Sequence, residues 1–123
     1  MQRSRFGFLL IGMAVGFSTP AFALSASFRW CSGSPEFNIS GVPAGTVKLD
    51  LHMMDLMAPS YHHGGGVVAY TGQKQIPCGA LNSTFEGPNP PAPQIHTYRW
   101  TIKALDASGK VLGETTAERK FPE

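Results

Sequence analysis

Hydrophobic and polar positions alternate in two stretches of the chain. In TVKLDLHM, Val47, Leu49, Leu51 and Met53 fall on one side, and Lys48, Asp50 and His52 on the other. This is the period-two pattern of a half-buried strand. HTYRWTIKAL repeats it, with His96, Tyr98, Trp100, Ile102 and Ala104 opposed to Thr97, Arg99, Thr101 and Lys103. GVPAG, with Gly41, Pro43 and Gly45, marks a turn before the first stretch. GVVAYT, after the glycines at 64 to 66, predicts a short buried strand. DASG predicts a hairpin connection, with KVLGETTAER returning antiparallel. A short helix over ETTAERK is the alternative, disfavoured by the β-branched Thr115 and Thr116. Short strands, Gly/Pro turns and no βαβ rhythm predict an all-β fold, an antiparallel sandwich or partial barrel.

Composition changes the picture at the N-terminus. MQRSR is a positive n-region, and Phe6 to Phe17 is an apolar run short of the roughly 20 residues that span a bilayer. Ala21 and Ala23 then offer small residues for cleavage. Residues 1–23 therefore read as a signal peptide rather than a membrane anchor, and 24–123 as a single domain in the periplasm or outside the cell. Removing Arg3 and Arg5 from the ten Lys+Arg leaves eight, against eight Asp+Glu. A neutral chain gives no electrostatic ground for nucleic acid or an anionic membrane as partner. No integral membrane segment is expected after cleavage. Cys31 and Cys78 are the two cysteines, and export makes a disulfide the natural reading, with two buried thiols as the alternative. The sequons at Asn38 and Asn82 are short chance-prone patterns and carry nothing.

Three polar residues break the alternation. Asp55 shares the parity of Leu49, Leu51 and Met53, while His96 and Tyr98 share that of Trp100. A buried charge is costly unless it is paired or meets a wet cavity. Inward polar groups at strand ends mark either a pocket mouth or a structural hydrogen-bond network. GPNPPAP, immediately upstream of His96, cannot readily join a central strand. It is suited to a stiff wall beside such a pocket.

These residues also carry a resemblance. CSGSPEFNISGVPAGTVKLDL, then DLMAP, then GPNPP followed by HTY, resemble the phosphatidylethanolamine-binding protein family in its bacterial Raf-kinase-inhibitor-like branch. The similarity runs from Cys31 to about Asp106. It implies an antiparallel β fold around a small pocket for phosphate-like headgroups, with Asp55, Gly87, Pro88, His96 and Tyr98 as pocket groups. The chain departs from the family pattern at three places. Met57 stands at the second aspartate of D-P-D-x-P, glycines fall at the H-W pair with His63 nearby, and the C-terminal part is short. Against the resemblance, these departures imply either a more open pocket, with His63 replacing the family histidine as a ligand group, or one that no longer binds the family ligand.

The leading expectation is an exported, non-enzymatic binding module for a small anion or phospholipid headgroup, without cofactor or metal. A protein-interaction or inhibitor role that has lost the ligand site is a second possibility. Periplasmic copper handling is another, since HMMDLMAPSYHH holds His52, Met53, Met54, Met57, His62 and His63, a soft-ligand set. Against it, His52 and Met53 point to opposite faces of a regular strand. Asp55 with His96 has the groups for acid–base work, but no nucleophile is identified, and a disulfide would consume both thiols.

Overall fold

The computed structural model describes residues 23–123; the proposed signal peptide and its cleavage region lie outside the described residues except for Ala23. Seven strands follow in order: β1 (Ser25–Arg29), β2 (Glu36–Ser40), β3 (Lys48–Asp55), β4 (Gly65–Ala69), β5 (Gln75–Ile76), β6 (His96–Leu105) and β7 (Val111–Phe121). They form an antiparallel three-stranded sheet, β1-β2-β5, and an antiparallel four-stranded sheet, β4-β3-β6-β7. The fold is all-β and sandwich-like, as the alternation predicts. Among the described residues, no helix is long and apolar enough to cross a membrane.

The two alternating stretches are the centre of the larger sheet. β6 spans His96–Leu105, and its even-numbered residues His96, Tyr98, Trp100, Ile102 and Ala104 are all buried. β3 pairs with it from Lys48↔Leu105 to Asp55↔Tyr98, which brings Leu49, Leu51 and Met53 onto the same buried face. Phe28 and Phe37 cover that face from the smaller sheet. Phe37 meets Trp100 edge-on at 4.9 Å, a geometry that aligns ring edge with ring face. Truncating such a fully buried aromatic typically costs ~3–5 kcal/mol.

The DASG turn is capped by Asp106, whose carboxylate accepts from the Ser108 and Lys110 amides. β7 returns as an 11-residue strand, so ETTAERK is extended rather than helical. Two expectations need correction. Val47 precedes β3 and is exposed, because the strand begins at Lys48. GVVAYT is not a buried strand: β4 starts at Gly65 and lies at a sheet edge with Val67 exposed. β1 and β2 had no sequence signal, being short strands that contribute only Phe28, Phe37 and Ile39 to the core.

Cys31, just after β1, and Cys78, just after β5, form a disulfide with S–S 2.02 Å. It closes a loop with a sequence separation of 47. In the chain-entropy model that stabilises the fold by ~4 kcal/mol. The Cys78–Glu86 connector continues from this anchor to the other end of the sandwich. On the way, the Leu81 amide donates to Ser34 Oγ (2.9 Å), and Asn82 Oδ1 accepts from the Ser34 amide (2.7 Å).

Candidate functional site

β3 ends at Asp55 because its side chain turns the chain. Asp55 Oδ1 accepts from the amides of Met57 (2.9 Å) and Ala58 (3.2 Å), replacing ladder bonds with a tight turn. Asp55 is 4% exposed, and its Oδ2 accepts from His96 Nδ1 at 2.6 Å. Tyr98 lies directly across the ladder from Asp55. Burial alone would raise the Asp55 pKa. Hydrogen bonds from His96, Met57 and Tyr98, with the attraction of His96, outweigh it and hold the carboxyl below its ordinary value. The same proximity acts oppositely on Tyr98. Burial, the Asp55 charge and hydrogen bonding to Asp55 push its phenol up to about 12.

His63 enters from the loop before β4. Its Nδ1 lies 2.8 Å from the carbonyl oxygen of Glu86, and the Glu86 amide donates to the His63 carbonyl at 2.8 Å. These two reciprocal bonds clasp the loop to the connector. The glycines following His63 permit that approach: a Cβ on Gly64, where φ is 77°, would collide with the Thr84 carbonyl. Tyr61 packs on the His63 ring and donates its hydroxyl to Glu86 Oε1. That bond raises the Tyr61 pKa.

Asp55, His63, His96 and Tyr98 line one cavity of about 280 Å³. Ala58, Tyr61, Glu86 and residues of the Pro-rich loop complete it. The Pro-rich loop is therefore a wall, as its composition predicts, but with one correction. Gly87 lines the cavity, whereas Pro88 does not; Asn89, Pro90 and Pro91 do. Tyr61 and Glu86 had no sequence signal beyond their positions beside His63 and the Pro-rich loop. Their contact joins residues 25 apart in the chain. Gln94, in the loop just before β6, fills the remaining ring nitrogen of His96, with its carboxamide 2.7 Å from Nε2.

The His/Met set considered for copper is divided by the fold. His52 is on the outer face of β3 beside Asp50, Met53 is in the core, and His63 lines the cavity. Comparisons with protein-family models, with curated proteins and with solved structures found no match.

Proposed function

We propose that the chain is an exported, non-enzymatic binding protein whose pocket accepts a small phosphate-like anion or the headgroup of a phospholipid. In this reading it is a short, divergent member of the phosphatidylethanolamine-binding type. The observation that carries it is convergence. Asp55, His63, His96 and Tyr98 come from separate segments, and all four line one cavity. A core made only for stability would place apolar groups there, since buried polar groups need dedicated partners. The Cys31–Cys78 bond fits an oxidising compartment, in keeping with the leader-like pattern of residues 1–23.

Chemically, Tyr98 keeps its phenolic proton at neutral pH and shares it with Asp55, so it serves an anion by turning that proton from Asp55 to the ligand. Asp55 is committed to the turn and to His96, so its role is to orient the ring rather than to grasp ligand. Exposed Met57, Tyr61 and Ile95 adjoin pocket residues in sequence and give the surroundings an apolar character that suits a headgroup with a lipid stem. The test is titration of the oxidised protein with inorganic phosphate, followed by NMR. Shifts are expected at residues 55, 63, 87, 96 and 98. Losing one hydrogen bond to a charged ligand typically costs ~1.5–3 kcal/mol, so Tyr98→Phe should weaken binding by that amount with the fold retained. Unmoved resonances in the parent would make the polar cluster a purely structural network.

A further inference from the structure

Both loops at the mouth of the cavity lack charge. β3 and β6 run antiparallel with Asp55 opposite Tyr98, so the loop leaving β3 and the loop entering β6 emerge from the same end of the larger sheet. Residues 56–62 (LMAPSYH) and 87–95 (GPNPPAPQI) contain no Asp, Glu, Lys or Arg. They also hold Met57, Tyr61 and Ile95, large apolar side chains at 63%, 47% and 53% exposure. Tyr61 lines the cavity, and the other two flank the lining residues Ala58 and His96. Among the described residues, the remaining exposed large apolar side chains stand beside charges. Val47 and Val111 adjoin Lys48 and Lys110 in sequence, Val67 faces Asp50 across the ladder, and Met54 faces Arg99. Single apolar groups of that second kind are ordinary on a protein surface, whereas a charge-free apolar rim around a pocket marks an interaction site.

The rim is also held in shape. The Leu56 amide donates to the Thr97 carbonyl at 2.9 Å, tying the first loop to β6. Tyr61 donates its hydroxyl to Glu86, the residue before the second loop. Pro88, Pro90, Pro91 and Pro93 stiffen that loop, so little backbone freedom is left to lose on docking. Resting on the headgroup reading above, we infer that the cavity end of the sandwich docks on the surface of a zwitterionic lipid bilayer, with Met57, Tyr61 and Ile95 inserted among the headgroups. Shallow apolar insertion of this kind is weak and reversible, and an amphipathic tyrosine suits the interface. An anionic surface is disfavoured. The cavity lining sets Asp55 and Glu86 at the mouth with no Lys or Arg beside them, and residues 24–123 are formally neutral. A protein partner would find no charged group on either loop to fix its register. On a bilayer the pocket opens onto the headgroup layer, and a headgroup enters it without its lipid leaving the membrane.

Flotation of the exported, oxidised protein with phosphatidylcholine vesicles tests it. Binding is expected, and it should fall by less than about twofold between about 0.1 M and 1 M salt, because a neutral contact has no charge to screen. Adding phosphatidylserine to the vesicles should not strengthen it. Met57→Ser and Ile95→Ser, both outside the cavity lining, should each weaken partition about tenfold, with the amide spectrum of the fold retained. Nitroxide-labelled lipid should broaden the amide resonances of residues 57, 61 and 95 and spare those of 47 and 111 at the far end of the sheet. Binding that requires phosphatidylserine or disappears with salt is electrostatic and overturns the proposal. A dimer that Ile95→Ser dissociates, in protein that binds no vesicles, assigns the rim to a second copy and overturns it as well. The two readings fail separately. Phosphate shifts without vesicle binding remove the bilayer and leave the anion pocket, whereas vesicle binding at the rim without phosphate shifts keeps the docking and removes the pocket.

Discussion

β3 supplies the aspartates of two aspartate–histidine pairs, one completed by its own His52 and one by His96 of β6, that differ in surroundings rather than in chemistry. Asp50 and His52 lie on its outer face, with Oδ1 2.9 Å from Nε2 and side chains 27% and 65% exposed. The distance is that of an ion pair, but the angles fall short of a hydrogen bond. Asp55 and His96 meet on the inner face at 2.6 Å, with side chains 5% and 10% exposed. Water reaches most of the outer pair, although Asp50 Oδ1 itself is covered, and such exposed contacts are worth ~0–1 kcal/mol. The inner pair has lost most of its water, and its bonds to Met57, Ala58, Tyr98 and Gln94 compensate for burial. The same two kinds of side chain thus meet on one face of β3 as surface decoration and, across to β6, on the other as part of a cavity lining. What separates them is parity.

The largest expected effect comes from breaking the inner pair. Asp55→Ala leaves His96 without its partner and frees the turn amides, and truncating one member of a buried pair typically costs ~3–5 kcal/mol. Asp50→Ala should cost less than ~1 kcal/mol by the same measurement, urea unfolding followed by Trp fluorescence. A double-mutant cycle on Asp55→Ala and His96→Ala isolates the coupling from other losses. Equal costs for Asp50→Ala and Asp55→Ala would show that burial is not what distinguishes the pairs.

This contrast was legible in the sequence, since parity alone put Asp55, His96 and Tyr98 inside and His52 outside. Long, strictly alternating strands transmit that information because a side chain on a pleated strand has only two directions. Other parts could not be read so directly. β1 and β2 are defined by their pairing, with register from Ser25↔Ser40 to Arg29↔Glu36, and local pattern is silent on pairing. Glu86 and Tyr61 reach the cavity through a contact between two loops, where no periodicity applies. The Pro-rich wall was correct in kind but shifted in place. Local rules identify a stiff loop but not which of its residues faces inward, and the fold turns Pro90 and Pro91 there instead of Pro88.

A smaller effect sharpens the comparison through pH. With its pKa pushed up to about 12 in the fold against an ordinary 10.0, Tyr98 resists ionisation in the native state but not in the unfolded one. Its contribution is fully present below pH 10, and is lost as pH rises to about 12. The loss is about 2–3 kcal/mol by linkage. Tyr98→Phe should flatten the alkaline limb of the stability profile by that amount. Asp55 works on the acid side with the opposite sign. Its lowered pKa makes its contribution present above the ordinary value of 3.8 and lost only as pH falls through the lower folded value. Asp55→Asn should therefore remove an acid transition below pH 3.8. An alkaline limb unchanged by Tyr98→Phe would mean that the phenol is not held by Asp55.

The smallest expected effect tests whether the two faces are independent. His52 lies across the ladder from Thr101 and Gly65, on the side of the sheet away from the cavity. Removing it forfeits an exposed pair and little else, so His52→Ala should change unfolding by less than ~0.5 kcal/mol, the usual range for a surface substitution. Phosphate affinity, read by the same titration as for the parent, should stay within about twofold, because sites with no shared partners behave additively. The copper alternative makes the opposite prediction. A metal site using His52, His62 and His63 would lose submicromolar Cu affinity in His52→Ala. It would also require His52, on the outer face of β3, and His63, which lines the cavity on the inner side, to reach one ion. A large change in phosphate affinity with unchanged stability would mean that β3 transmits strain between its faces. Asp55 would then sense what happens at Asp50, and parity would separate the two pairs in space but not in function.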